Sequence, residues 1–167
     1  MAILNDLRLL LLGLWLGAAV YFSSVVAPTV FSGLRAFQLP NLAEIAGTLV
    51  TRTLSVINVS GFIISMILLV SAFTLGKGLG KRSFFLELAS LTVVAVSTGA
   101  GQWVIAAKMR ALRVAMVLPI DRVQIDDPRH VAFNRLHSYS VTALTIAMIS
   151  ALCAFLIIAY RARLNAN

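Results

Sequence analysis

The sequence predicts an all-α protein, an integral membrane bundle of four helices. Of its 167 residues, 60% are hydrophobic and 12% are charged, whereas a soluble domain carries about 25% charged residues. The apolar residues are concentrated in runs that can cross a bilayer, for which about 20 residues suffice. The polar segments between these runs are short, so we expect a single membrane domain over residues 1–167.

Four apolar runs give the predicted spans, at about residues 7–27, 55–75, 84–107 and 141–160. Asn41 followed by Glu44 is a capping pattern that starts the second helix well before its span. The Asp127-Pro128 pair, an N-cap followed by proline at the first helical position, starts the last helix in the same way. The third helix continues beyond its span through a segment with three basic residues, Lys108, Arg110 and Arg113. With the early starts of the second and last helices, this leads us to expect helices 2, 3 and 4 to extend beyond the bilayer on one side.

Proline and glycine residues mark bending and close packing in the first span. Pro28 lacks a backbone donor and, with the nearby Phe31, predicts a kink and a packing point near the end of helix 1. Gly13 and Gly17 are four residues apart, a spacing that allows close helix approach, and packing inside the monomer is favoured over dimerisation. In the third span, Gln102 is expected to hydrogen-bond across helices.

The net charge of +8 does not indicate nucleic-acid binding. Most Lys and Arg residues stand at the ends of apolar runs, where they set topology and contact anionic headgroups. Glu87 lies near the start of the third span, where the helix dipole favours an acid. The basic loop at 76–82 favours cytoplasmic termini. The expected partners are membrane lipids, with a homo-oligomer or a partner membrane subunit as alternatives.

Few residues are available for catalysis or for cofactor binding. His130 and His137 are seven residues apart, about 10 Å along a helix, which is too far to share one metal ion. Cys153 is the only cysteine, so no disulfide and no CxxC site can form. Ser140 lies one turn after His137, but no acid is positioned in the sequence to orient the imidazole. We therefore expect no enzyme activity, no catalytic residue, no metal site and no cofactor.

The stretch "FNRLHSYS" (133–140) contains the candidate site. Counting back about 20 residues from Tyr160 puts His137 in the headgroup zone, about one turn outside the hydrocarbon. One interpretation is a polar helix end that hydrogen-bonds to the helix extensions at 41–54 or 108–117. The other is an interface or ligand cluster formed by Asn134, Arg135, His137 and Ser140.

Three function hypotheses follow from these residues. The first is a non-enzymatic membrane protein that binds a lipid, a hydrophobic small molecule or a partner subunit near His137. The second is a transporter or transporter subunit that works as an oligomer, because the central parts of the four spans contain no Asp, Glu, Lys or Arg for coupled pumping within one copy. The third is a haem- or metal-binding membrane protein.

Two stretches, "WLGAAVYFSSVVAPTVFSGL" (15–34) and "RHVAFNRLHSYSVTAL" (129–144), resemble signatures of a family of uncharacterised bacterial four-helix membrane proteins, which shares a domain with animal transmembrane protein 205. The matching positions are Ala27, Pro28, Phe31, Phe133, Arg135, Leu136, His137 and Ser140. In that family an Asn often follows the Ser, whereas Ala143 and Leu144 occupy that region here, which weakens any polar network there. The resemblance implies a four-helix membrane bundle in a bacterial cytoplasmic membrane and no settled activity.

Overall fold

The computed structural model describes residues 2–39, 41–75 and 81–164, which form four long helices joined by short connections. Helices 2 and 4 are continuous α-helices, Leu42–Leu75 and Pro128–Leu164. Helix 1 consists of Ala2–Tyr21, a π-helical segment Phe22–Val26 and Ala27–Ala36. Helix 3 consists of Lys81–Gly99, a π-helical segment Ala100–Ile105 and Ala106–Met116. All four are long and apolar enough to cross a membrane, which confirms the predicted all-α membrane bundle and makes this a multi-pass membrane protein.

Side-chain contacts define the two ends of the bundle. Near the start of helix 1, Arg8 contacts Glu87 near the start of helix 3, and Arg161 near the end of helix 4 contacts the same carboxylate. We call this the terminal end. At the opposite or distal end, Glu44 of helix 2 lies 3.4 Å from Arg113 of helix 3. The antiparallel arrangement therefore brings the connections after helices 1 and 3 to the distal end.

The helices are longer than a bilayer requires. Their membrane-competent stretches contain between 33 and 36 residues, which corresponds to about 50 Å at 1.5 Å per residue. The hydrocarbon core is about 30 Å thick. Each of the four helices is thus longer than the hydrocarbon core requires, including helix 1, which runs to Ala36. The extension of helices 2, 3 and 4 on one side of the bilayer stays a prediction.

Pro28 lies inside helix 1, and the helix continues past it because a π-helical segment comes directly before. In that segment the Ala27 N–H donates to the Phe22 carbonyl. Pro28 therefore stands in the first turn of the next α-helical segment, where its missing N–H is tolerated. Segments of this kind bend helices and are frequent at functional sites.

The start of helix 2 differs from the prediction that Asn41 caps it. Instead, the carboxylate of Asp121, in the connection after helix 3, accepts the backbone N–H groups of Ala43 and Glu44 at 2.9 and 3.0 Å. Asn41 has a left-handed φ of 65°, and its Oδ1 has no hydrogen-bond partner among the described residues. Because this cap comes from a distant segment, the local sequence does not show it.

Helix 4 begins as predicted at the Asp127-Pro128 pair. Oδ1 of Asp127 accepts the Arg129 backbone N–H at 2.8 Å, and Oδ2 lies 2.8 Å from the Arg129 guanidinium. The same guanidinium donates to the carbonyl of Ala115 at 2.7 Å. Arg129 therefore joins the start of helix 4 to the end of helix 3.

Replacing Arg129 with alanine should raise the pKa of Asp127. The hydrogen bond from the Arg129 side chain, and then that from its backbone N–H, hold the pKa of Asp127 at about 2, below its ordinary value of 3.8. Because the folded-state pKa is depressed, the stabilising contact is complete above pH 3.8 and is lost as the pH falls towards about 2. An NMR titration of the Asp127 carboxyl should show an upward shift in Arg129→Ala, and an unchanged pKa would contradict this explanation.

Helix 2 packs closely against an indole ring of helix 1. The Trp15 Nε1–H donates to the Ile57 carbonyl at 2.9 Å. A Cβ built on Gly61 would lie 2.6 Å from the Trp15 ring, so helix 2 approaches the indole with no room for a side chain. The same buried cluster includes Ala151 and Ala154 of helix 4, both fully buried. Close approach through small residues is typical of membrane helix packing.

Candidate functional site

A half-enclosed cavity of about 510 Å³, the distal cavity, opens at the distal end of the bundle. Its walls are helices 2, 3 and 4, with Phe31 of helix 1 and Ile120 and Val123 of the connection after helix 3. Its volume is within the range of about 300–1,000 Å³ that is usual for ligand pockets.

Three of the four predicted cluster residues line this cavity. These are Asn134, His137 and Ser140 on helix 4. His137 is exposed and Ser140 is buried. The fourth, Arg135, lines neither this cavity nor the one beside it, because its Nε donates to the Tyr139 hydroxyl at 2.8 Å on the outer surface of helix 4. The interface and ligand role of the cluster stays a prediction.

Charged side chains lie at the mouth of the distal cavity, close to the helix ends. Besides His137, the titratable residues in its lining are Arg110, Arg113, Asp121 and His130. Arg113 Nε lies 3.4 Å from a Glu44 carboxylate oxygen, and its guanidinium lies 5.3 Å from the centre of the Phe133 ring. Asp121 caps helix 2. The mouth therefore contains two arginines and the carboxylate of Asp121, which already accepts hydrogen bonds from backbone N–H groups of helix 2.

The floor of the distal cavity is polar and uncharged. Asn58, Gln102 and Ser140 are the lining residues farthest from the distal ends of their helices. Gln102 lies in the π-helical segment of helix 3, and its Nε2 donates to Ser55 Oγ at 2.9 Å, which confirms the predicted bond across helices. Its Oε1 is buried and has no partner among the described residues. Asn58 is 4% exposed, and it fits because Gly101 has no side chain.

A second cavity of about 320 Å³, the lateral cavity, adjoins the first between helix 1 and helix 4. The residues that line both cavities are Phe31, Val50, Leu54, His137 and Ser140. The rest of its lining is mainly apolar and includes Phe22, Leu144 and Met148. Pro28 also lines it. The predicted kink residues of helix 1 and the predicted cluster of helix 4 therefore meet around this second cavity.

The two glycines of helix 1 have different surroundings. A Cβ built on Gly13 would lie 3.4 Å from the Phe155 ring, so this glycine packs against helix 4 within the monomer. A Cβ on Gly17 would meet nothing within 4 Å among the described residues. Gly17 lies on an exposed surface beside Leu152 and Phe155.

The sequence interpretation missed a buried ion-paired cluster at the terminal end. Arg8, Glu87 and Arg161 are 3%, 0% and 9% exposed. Both arginines pair with Glu87, Arg8 through Oε1 and Arg161 through Oε2. Arg8 Nη2 also lies 3.4 Å from the Leu68 carbonyl. The cluster thus joins helices 1, 3 and 4 and touches helix 2.

This cluster corrects the interpretation of its three members. The dipole of helix 3 is not the main partner of Glu87, and Arg8 and Arg161 are not simply exposed topology signals, because all three are buried against one another. The distance of each residue from the end of its helix could have indicated this cluster. In an antiparallel bundle, all three positions fall within about two turns of the same end.

No group of three or more His, Cys, Asp or Glu side chains that could hold a metal ion occurs among residues 2–39, 41–75 and 81–164. His130 lines the mouth of the distal cavity, with its Nδ1 3.2 Å from the Gln124 carbonyl. Cys153 is exposed on the surface of helix 4.

The fold and the cavity define a multi-pass four-helix membrane protein with a polar, half-enclosed cavity at one end. The chain belongs to the family described as a domain of unknown function (DUF4149), which matches residues 10–117. That match covers helices 1 to 3, including Pro28 and Phe31, and ends before the cluster on helix 4. No curated protein and no solved structure matches the chain.

Proposed function

We propose that this protein is a non-enzymatic membrane module that binds an amphipathic lipid or hydrophobic small molecule at its distal end. The observation that carries the proposal is the pair of adjoining cavities, one with a polar floor and one mainly apolar, which share His137 and Ser140. A molecule with a polar head and an apolar chain matches both cavities at once. Ligand pockets commonly combine apolar walls with a few polar groups that fix orientation.

The position of the lateral cavity supports access from the bilayer. Its lining includes Phe22, Leu144 and Met148, which lie well inside the long apolar stretches of helices 1 and 4. An apolar chain can therefore remain in hydrocarbon-like surroundings while its head occupies the distal cavity. This arrangement avoids the cost of moving an apolar chain through water.

Replacing His137 with alanine should weaken binding of the amphipath by between about 2- and 10-fold, the effect of one hydrogen bond. The fold should survive, because His137 is exposed and no core packing depends on it. The measurement is native mass spectrometry of protein released from its own membranes, which reports the fraction of molecules that carry a bound amphipath.

The matched control is Arg135→Ala on the same helix, since Arg135 is also polar and exposed but lines neither cavity. This variant should retain the wild-type bound fraction. If His137→Ala unfolds in detergent, the residue is structural and the site hypothesis is wrong. Equal losses in both variants would also contradict the proposal.

The membrane in which the protein resides and its wider family relationship are also proposed. We place it in a bacterial cytoplasmic membrane, as the resemblance to bacterial four-helix proteins implies. Membrane lipids are its proposed partners, because the chain has a net positive charge and helices of membrane-spanning length. The resemblance of residues 15–34 and 129–144 to the uncharacterised four-helix family is the basis for proposing a domain shared with animal transmembrane protein 205. A reporter that is active in only one compartment, fused to the C-terminus, tests for cytoplasmic termini.

A further inference from the structure

The two arginines that line the distal cavity differ in their partners. Arg113 Nε lies 3.4 Å from a carboxylate oxygen of Glu44, and its Nη1 donates to Thr48 Oγ1 at 3.4 Å. Arg110 also lines the cavity, but it takes part in none of the ion pairs among the described residues. Its guanidinium can therefore pair with an anionic group that enters the cavity.

The acidic residue in the lining, Asp121, already has other partners. Its two carboxylate oxygens accept the backbone N–H groups of Ala43 and Glu44 at 2.9 and 3.0 Å. Its negative charge thus lies at the N-terminus of helix 2, where the helix dipole is positive. The Glu44 carboxylate in turn faces Arg113. The charge of Arg110 is therefore not balanced by either carboxylate.

His137 lies at about the same level of the distal cavity as Arg110. The Arg113 guanidinium is 5.3 Å from the centre of the Phe133 ring, which fixes helix 3 against helix 4. From this contact towards the floor, Arg110 is three residues along helix 3 and His137 is four residues along helix 4, about 4.5 and 6 Å. Both side chains line the distal cavity. A head group at this level therefore faces both.

The imidazole of His137 suits an acceptor, whatever its protonation state. A neutral imidazole donates one N–H, and the doubly protonated ring donates two and carries a positive charge. Ser140, about one turn nearer the floor, adds a hydroxyl donor. His130 is about 10 Å farther out than His137 along helix 4, and its Nδ1 lies 3.2 Å from the Gln124 carbonyl. These groups add donors to the lining and no further negative charge.

We infer that the ligand of the distal cavity is an anionic amphipath, whose carboxylate or phosphate head pairs with Arg110 and accepts a hydrogen bond from His137. Its apolar chain lies in the lateral cavity and passes between His137 and Phe31, which line both cavities. This inference rests on the proposed function and specifies its ligand class. An ionised head forms a stronger hydrogen bond than a neutral one, and the Arg110 guanidinium repels a cationic head.

Four probes test the inference on the purified full-length protein in a neutral detergent. Oleoyl lysophosphatidate and monooleoylglycerol share their glycerol and acyl chain and differ by the phosphate. Oleate, ionised at about pH 8, carries a carboxylate on the same chain, and glycerol phosphate carries the phosphate without a chain. Titrations followed by native mass spectrometry should show lysophosphatidate binding at least about tenfold more tightly than monooleoylglycerol, the effect of a charge-assisted hydrogen bond.

The other two probes identify the head and the need for a chain. Oleate should also bind more tightly than monooleoylglycerol, and the tighter of the two anionic amphipaths shows whether the natural head is a phosphate or a carboxylate. Glycerol phosphate should bind much more weakly than lysophosphatidate, because it places nothing in the lateral cavity. If it binds as tightly as lysophosphatidate, the site takes a free phosphate and the inference is wrong.

The variant Arg110→Gln should reduce the preference for lysophosphatidate over monooleoylglycerol to less than about threefold. Its matched control is Lys108→Gln, which removes the same charge from an exposed position two residues away on helix 3 that lines neither cavity. This control should keep the wild-type preference. Equal losses in the two variants would mean that the net positive charge of the protein, and not the cavity, attracts the anion, which overturns the inference.

A second pair of variants tests the hydrogen bond on helix 4. His137→Ala should reduce the preference for lysophosphatidate by between about 2- and 10-fold, whereas Arg135→Ala, which lines neither cavity, should keep it. This pair decides the question if Arg110→Gln does not fold. An unchanged preference in His137→Ala would contradict the role of the imidazole in binding the head.

Failure of the inference can be distinguished from failure of the proposed function. If monooleoylglycerol binds as tightly as both anionic amphipaths, the ligand class is wrong and the proposed function remains. If none of the probes binds the wild-type protein, and its membranes yield no bound amphipath, both the inference and the proposed function fail.

Discussion

Replacing Glu87 with alanine should lower the free energy of unfolding by about 3–5 kcal/mol, the usual cost of removing one partner from a buried ion pair. The cost arises because the variant leaves Arg8 and Arg161, both at most 9% exposed, without their shared carboxylate. Equilibrium unfolding of the purified protein in mixed micelles measures this change.

The control for this prediction is Glu44→Ala at the distal end. Glu44 lies 3.4 Å from Arg113, and both side chains are about a quarter exposed, so its loss should cost about 1 kcal/mol or less. Replacing the whole terminal cluster, as Arg8→Met with Glu87→Leu and Arg161→Met, should restore most of the lost stability, because no buried charge then remains unpaired. If Glu87→Ala and Glu44→Ala lower the free energy of unfolding equally, the buried cluster does not stabilise the fold more than an exposed ion pair does.

The second large effect is expected at Gly61. The variant Gly61→Ala should cost about 1–3 kcal/mol, the usual penalty of overpacking. The added methyl group would lie 2.6 Å from the Trp15 ring, which is 4% exposed and cannot move away easily. Moving the ring would also break the hydrogen bond from Trp15 Nε1 to the Ile57 carbonyl. The same unfolding assay measures the loss.

Gly33→Ala is the matched change, since it adds the same methyl group to a helical glycine. Among the residues that the structure describes, nothing lies within 4 Å of a Cβ on Gly33, so this variant should be neutral or more stable by about 0.5–1 kcal/mol through helix propensity. If Gly61→Ala were as stable as Gly33→Ala, close packing of helix 2 on Trp15 would not be a source of stability.

The sequence predicted the fold class well because long apolar runs have few structural alternatives in a bilayer. The start of helix 4 at Asp127-Pro128 was also predicted, because its capping pattern is local. The cross-helix bond of Gln102 was predicted because a polar amide in an apolar span bonds to a neighbouring helix, although the sequence did not identify Ser55 as its partner. On helix 4, the polar cluster was predicted as a group, and three of its members line the distal cavity. Arg135 could not be separated from them, because a rotation of about one residue around a helix decides which side chains face inward.

The remaining features depend on contacts between distant segments. The cap of helix 2 comes from Asp121, 78 residues after its partner Ala43. The pairing of Arg8 with Glu87 spans 79 residues. The close approach of Asn58 to Gly101 brings together residues of helices 2 and 3. Local propensity and periodicity do not encode such partners, so only the assembled bundle shows them.

Photolabelling tests the central claim most directly. A long-chain alcohol with a diazirine in its chain is added to membranes that contain the protein, and the labelled residues are mapped by peptide mass spectrometry. We expect labelling to concentrate on the residues around the lateral cavity, Phe31, Leu54 and Met148, and to fall in His137→Ala. Labelling spread evenly over the exposed apolar residues Leu14, Val70 and Val96 would contradict a binding site at the distal end.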